Sequence, residues 1–196
     1  MRKFDKRSLD KINSHKFAKE LLKRIYGGKY KKLKVDDKPD LINSKEGFGV
    51  EVTRAVNGKK LAVLKEFLFG DLKQEELLTF KEQMLADFET ESLDEKLKQI
   101  KKIYDQKIGK LNNGNYDCVK NCDLLIYTSL KGEVDLTKVQ KLFTTTKRNY
   151  NYIYLVSYDN FYEFDLINKT YKTINYQTNH TNLKDKAFKK VKFYWL

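Results

Sequence analysis

The chain has 196 residues, is 40% hydrophobic and carries a formal net charge of +13 at neutral pH. That length suits one domain with a sizeable core, and the apolar content excludes a disordered tail. No apolar run approaches the roughly 18 residues that a membrane span needs, and the basic start Met1–Arg7 is not followed by the apolar stretch of a secretory signal. Two cysteines, Cys118 and Cys122, cannot build a disulfide framework, so a reducing cytoplasm is the expected home.

The charge is concentrated. Residues 1–34 hold thirteen Lys and Arg against three acids, a net +10. Codon bias in an AT-rich genome explains a chain rich in Lys, Asn and Tyr with only five Arg. It does not explain the clustering. A concentrated positive field draws polyanions and makes their binding salt-dependent, so a nucleic acid is the expected partner.

In chain order, residues 14–26 read as a helix, with Ser14 as N-cap and Phe17, Ala18, Leu21, Leu22 and Ile25 on one stripe. Lys16, Lys19, Lys23 and Arg24 fall mostly off that stripe, Glu20 lies at its edge, and Gly27-Gly28 ends the helix. Tyr30 to Val35, Pro39 to Ile42 and Phe48 to Ala55 read as three strands, the last two separated by the turn Asn43 to Gly47. A helical region over about 58–111 follows and is expected to be an insertion in the domain. Its last stretch has Leu93, Leu97, Ile100, Tyr104, Ile108 and Leu111 in nearly heptad spacing. Core packing or a helical hairpin is the favoured reading there, and a coiled-coil arm joining a homodimer is the alternative. A buried strand at 123–128, a helix at 135–143, a strand at 152–156 and a hairpin of 161–166 with 171–176 complete the pattern. A lysine-rich tail runs over 184–192. The whole reads as one α/β domain, a mixed central sheet flanked by helices.

One segment carries chemistry. Pro39-Asp40 opens a strand, and eleven residues after Asp40, Glu51 stands within the next strand, Val50-Glu51-Val52-Thr53. Adjacent strands joined by a short turn bring two such carboxylates together. Two convergent carboxylates with a main-chain carbonyl make an oxygen site suited to Mg²⁺, which can polarise a phosphate and lower the pKa of a bound water. Glu51 sits among apolar residues, where an unpaired acid is costly.

Pro39-Asp40 followed by Glu51-Val52-Thr53, in the order helix, acid-bearing strands, helix, strand, resembles the PD-(D/E)XK nuclease superfamily over roughly residues 14–130. The resemblance implies a restriction-endonuclease-like sheet, Mg²⁺ or Mn²⁺ as cofactor, and hydrolysis of DNA, with RNA the less favoured substrate. It implies Asp40 and Glu51 as metal ligands, Glu20 assisting, and Val52 lending its carbonyl. The motif lysine is Thr53 here. Its role therefore falls to Lys59, Lys60 or Lys65 on the following helix, or to Arg54, or else catalysis has been lost. Lys16, Lys19, Lys23, Arg24 and Arg54 would hold the backbone without reading sequence. A restriction or phage-defence role is fold-level analogy. The alternatives are a non-catalytic nucleic-acid-binding or inhibitor protein on a degenerate nuclease fold, and a protein-interaction module built on residues 72–111.

Other motifs are weaker. Cys118 and Cys122 with the distant His15 and His180 lack the spacing of structural zinc. Gly27-Gly28 lacks the glycine-lysine-Ser/Thr ending of a phosphate loop. Tyr150, Tyr152, Tyr154, Tyr158, Phe161, Tyr162 and Phe164 could stack bases, but strand packing is the simpler account.

Overall fold

The computed structural model describes residues 6–55, 91–116, 119–130, 133–145, 148–157 and 160–175. Helix α1 spans Lys6–Tyr26, and a 3-10 turn spans Gly28–Lys32. Strands β1 (Lys34–Val35), β2 (Leu41–Asn43) and β3 (Phe48–Ala55) follow. Helix α2 is Leu93–Asn112, β4 is Asn121–Thr128, and the short helix α3 is Leu136–Gln140 with a 3-10 turn at Lys141–Phe143. The last strands are β5 (Tyr152–Val156), β6 (Asn160–Asp165) and β7 (Thr170–Asn175).

The seven strands lie side by side in chain order. β1, β2 and β3 are antiparallel, β3, β4 and β5 are parallel, and β5, β6 and β7 are antiparallel. The fold is thus α/β with a mixed sheet. The parallel centre follows from the helices α2 and α3, which carry the chain back between β3 and β4 and between β4 and β5.

Each face of the sheet is covered. Phe17, Ala18, Leu21 and Leu22 of α1 pack on Val50, Val52, Leu125, Tyr127 and Tyr154. Leu97, Ile100, Tyr104 and Leu111 of α2, with Val139 and Phe143, pack on Leu124, Ile126, Ile153 and Leu155. Burial on both faces explains why β4 reads as a near-continuous apolar run. The apolar stripe of α2 is covered by its own sheet, so the core-packing reading of 93–111 holds for these residues. The rest of the helical region, 58–90, lies outside the described residues, as do Cys118, His180 and the tail. None of the described helices is long and apolar enough to cross a membrane.

Three local expectations are corrected. α1 starts at Lys6, so Ser14 is not its N-cap but an interior, buried residue. The stripe marks the turns that touch the sheet, and a helix can run beyond them. The Tyr30–Val35 strand shrinks to two residues because Gly27 and Gly28, both at positive φ, wind the next turn as a 3-10 helix that buries Tyr30. The helix at 135–143 tightens into a 3-10 turn after Gln140, with the Asp135 carboxylate capping its start.

Gly49 is fixed by close approach. A Cβ there would come within 2.2 Å of Pro39 Cγ, a rigid ring atom. Gly49→Ala therefore has to push the Pro39-Asp40 segment away, and we expect a loss of about 1–3 kcal/mol in urea unfolding. An unchanged midpoint would mean that this contact is looser than the geometry says.

Candidate active site

The β2–β3 ladder ends at the pair Leu41↔Val50. Asp40 is next in line, and its Oδ2 accepts the Val52 N–H at 2.9 Å where a further strand residue would otherwise bond. In a strand the N–H and C=O of one residue point to the same edge, so the Val52 carbonyl is turned there too. Asp40 Oδ1 lies 3.4 Å from His15 Nε2 on α1. Glu51 projects to the other face and pairs with Lys107 of α2. The candidate site thus straddles the edge of β3 exposed by the end of β2, with one helix layer contributing on each side.

Both acids are buried, Asp40 at 3% and Glu51 at 5% exposure. Burial holds the Glu51 carboxyl above its ordinary value, and the charge of Asp40 pushes it the same way, whereas Lys107 and the Tyr116 hydroxyl oppose the shift. Glu51 Oε2 is buried without a hydrogen-bond partner. An orphaned, buried carboxylate oxygen beside a second carboxylate is costly unless a cation takes it. Asp40, Glu51 and the Val52 carbonyl are the oxygen donors present here that could hold a hard divalent cation, although among the described residues no group of three or more His, Cys, Asp or Glu gathers for a metal ion.

Comparison with protein-family models, curated proteins and solved structures finds no match to this chain.

The expected residues divide clearly. Asp40, Glu51 and Val52 converge. Glu20 pairs on its own helix. Its carboxylate lies 3.9 Å from both Lys23 and Arg24 on its own helix, and the α1 residue that faces Asp40 is His15. Five residues along a helix rotate a side chain by about 140°, so His15 and Glu20 leave α1 in different directions. Thr53 shares the Glu51 face and is half-buried, while Arg54 takes the opposite face. Lys59 and Lys60, like Lys65, lie outside the described residues. Lys16 is exposed, and Lys19, Lys23 and Arg24 are partly or fully exposed on the side of α1 away from the sheet.

Sequence reasoning missed Lys107, though a signal existed. Residues 93, 97, 100, 104, 107 and 111 continue one alternating 4-3 spacing, and a lysine stands at the fifth position. A lysine on an apolar stripe and a glutamate inside an apolar strand each predict a missing partner. They are each other's partner, and the Lys107 side chain is only 16% exposed.

A second buried acid was also missed. Asp123 of β4 is wholly buried on the α1 face, where the Tyr30 hydroxyl (3.0 Å), the Tyr154 hydroxyl (3.4 Å) and the Tyr152 N–H (3.3 Å) donate to it. Lys29 Nζ lies 3.8 Å away. Burial pushes its carboxyl up to about 7, against the pull of Lys29 and these donors. With this many protein partners, Asp123 anchors the 3-10 turn to the sheet.

Proposed function

We propose that this chain is a metal-dependent nuclease core of the restriction-endonuclease-like kind, in which Lys107 takes the part of the lysine that Thr53 has replaced. The observation that carries the reading is the convergence of Asp40 and Glu51 with a lysine from another element on Glu51. The order of helix, acid-bearing strands, helix and parallel strand fits the same reading.

Asp40 and Glu51 would hold Mg²⁺ or Mn²⁺, with the Val52 carbonyl beside them. The ion would supply Lewis-acid stabilisation of phosphate charge and a more acidic water. His15 braces the Asp40 carboxylate from α1. Lys107, as an ammonium, offers hydrogen-bond donors to an attacking water or to a phosphate oxygen. The lysines of α1 would hold the DNA backbone. A cytoplasmic restriction or phage-defence role is consistent with a compact basic nuclease.

The engagement of both Asp40 oxygens within the protein favours a second reading, a nucleic-acid-binding protein that no longer cuts. The two are separated by incubating plasmid, linear and single-stranded DNA, and RNA, with Mg²⁺, Mn²⁺ or EDTA, beside Asp40→Ala. We expect cutting with either metal, none with EDTA, and none by Asp40→Ala, which should still bind DNA in a salt-sensitive manner. Salt-sensitive binding without cutting under either metal would establish the second reading. Neither binding nor cutting would sink both.

A further inference from the structure

Asp123 is wholly buried beside the 3-10 turn of Gly28–Lys32. Its Oδ2 forms a triangle with two phenol oxygens, 3.0 Å from Tyr30 and 3.4 Å from Tyr154, and the two hydroxyls lie 2.5 Å apart. Three contacts call for three hydrogens, and two phenols supply two. With Asp123 ionised, one side of the triangle is left as two facing oxygens. The least strained choice is the 3.4 Å side, which sets the carboxylate charge against a phenol lone pair. A proton on Asp123 fills that side. The acid then donates to one hydroxyl, that hydroxyl to the other, and the other back to Oδ2.

Lys29 supplies independent support. Its ammonium stands 3.8 Å from Asp123 Oδ2, beyond hydrogen-bond range. It lies 4.0 Å from the Phe48 ring centre, and 5.1 and 5.4 Å from those of Tyr30 and Tyr152, so aromatic faces hold its charge. A charge-assisted bond to an ionised carboxylate would bring it about 1 Å closer. Asn43 Nδ2 donates to the Lys29 carbonyl at 3.1 Å and fixes the backbone there, so such a swing falls to the side chain.

Among the described residues, the other titratable groups around Asp123 are Tyr152, whose N–H donates to it, and Tyr26 of α1, whose ring lies against those of Tyr30 and Tyr154. Beyond them is Glu163 of β6, held by the Tyr26 hydroxyl and by Lys172 of β7. On β3 the neighbour is the apolar Val50, and Cys122 beside Asp123 packs into the core on the α2 face. We propose that Asp123 is a proton-binding site and the centre of a pH switch. Protonated, it closes the ring with Tyr30 and Tyr154 and leaves Lys29 over the aromatic rings. On losing the proton it draws the Lys29 ammonium onto itself. Burial, which disfavours the charged form, places this exchange in the neutral range. The switch uses none of the candidate metal ligands.

The test follows the Asp123 carboxyl carbon and the Lys29 ε signals by NMR in the full, metal-free chain from pH 5 to pH 9. We expect the carboxyl carbon to move in one step centred at about 7, and the Lys29 signals, displaced by the rings at pH 5, to move on the same curve. In Asp123→Asn the amide donates in place of the acid proton, so the Lys29 signals should keep their low-pH position throughout. The folded chain holds this proton more tightly than the unfolded chain, whose aspartates titrate at about 3.9. Its contribution to stability is therefore complete at low pH and is lost as pH rises to about 7. Relative to Asp123→Asn, the unfolding equilibrium constant of the parent should rise about tenfold per pH unit across that window, while Glu51 titrates alike in both. A carboxyl carbon already ionised at pH 5 overturns the proposal, and so do Lys29 signals that ignore its titration. Both readings come from the unsubstituted chain, so they decide the matter even if the variant does not fold.

Discussion

Glu51→Gln is expected to raise the thermal midpoint at pH 8 and, on the nuclease reading, to abolish metal-dependent cleavage. The folded chain holds the Glu51 proton more tightly than the unfolded chain does, because burial and the Asp40 charge outweigh Lys107 and Tyr116. Stability from such a group is fully present at low pH. It is lost as pH rises from the ordinary glutamate value of about 4.3 through the raised folded value. The amide keeps the shape and a hydrogen-bond acceptor for Lys107 but carries no charge, so the variant escapes that loss. Each kcal/mol recovered should appear as about 2–4 °C in a chain of this size, and the two melting curves should converge below about pH 4. A variant that melts below the parent at pH 8 would sink this account, and the Glu51–Lys107 pair would then be a stabilising bridge in its own right.

The opposite substitution in the same pair should act in the opposite direction. Lys107→Met leaves a buried carboxylate uncompensated beside Asp40. Breaking one side of a buried pair costs about 3–5 kcal/mol, and the lower end is expected here because Glu51 can take up a proton instead. The penalty should shrink as pH falls, since a protonated Glu51 needs no counter-charge. On the nuclease reading, cleavage should drop by about 10²–10⁴-fold, the usual contribution of a positioned proton-handling group. Adding Glu51→Gln to Lys107→Met should restore most of the stability and none of the activity, a coupling that a double-mutant cycle isolates. Additive stability losses would show that Lys107 supports the fold through packing of its stem.

These two effects also show what could be read from the chain. The two acids and the strands beside them follow from local pattern, since β3 lies at 48–55 as its alternation predicts and Asp40 immediately precedes β2, which starts at Leu41 rather than Pro39. Strands 152–156 and the following hairpin were equally plain, because alternating aromatic and aliphatic residues with a turn at Asn168-Lys169 leave little choice. The lysine was not legible in the same way. Its distance from Glu51 is 56 residues in sequence, and only the docking of α2 on β3 joins them. The choice of Ile108 over position 107 in the apolar stripe hid it, since both lie near the edge of that stripe. His15 was obscured for a related reason. Glu20 has the chemistry expected of an assisting acid, but the helical phase turns His15 toward Asp40. Position along a helix is visible in sequence, whereas the rotation at which that helix docks is decided by the full packing of the layer.

The placement of the site across the edge of β3 bears on when it can come into being. Asp40 is braced from one layer and Glu51 from the other, so neither half of the molecule holds a complete set. A chain emerging from the ribosome presents both acids, and the α1 histidine, well before residue 107 leaves the tunnel. Such a nascent fragment has the carboxylates but not Lys107, and its sheet still lacks β4. Domains fold as units during synthesis, and here α2 and β4, made after both acids, supply what the earlier residues lack. On the nuclease reading, a chain cut short before residue 107 carries both carboxylates without the lysine that pairs with Glu51, and is born harmless to DNA.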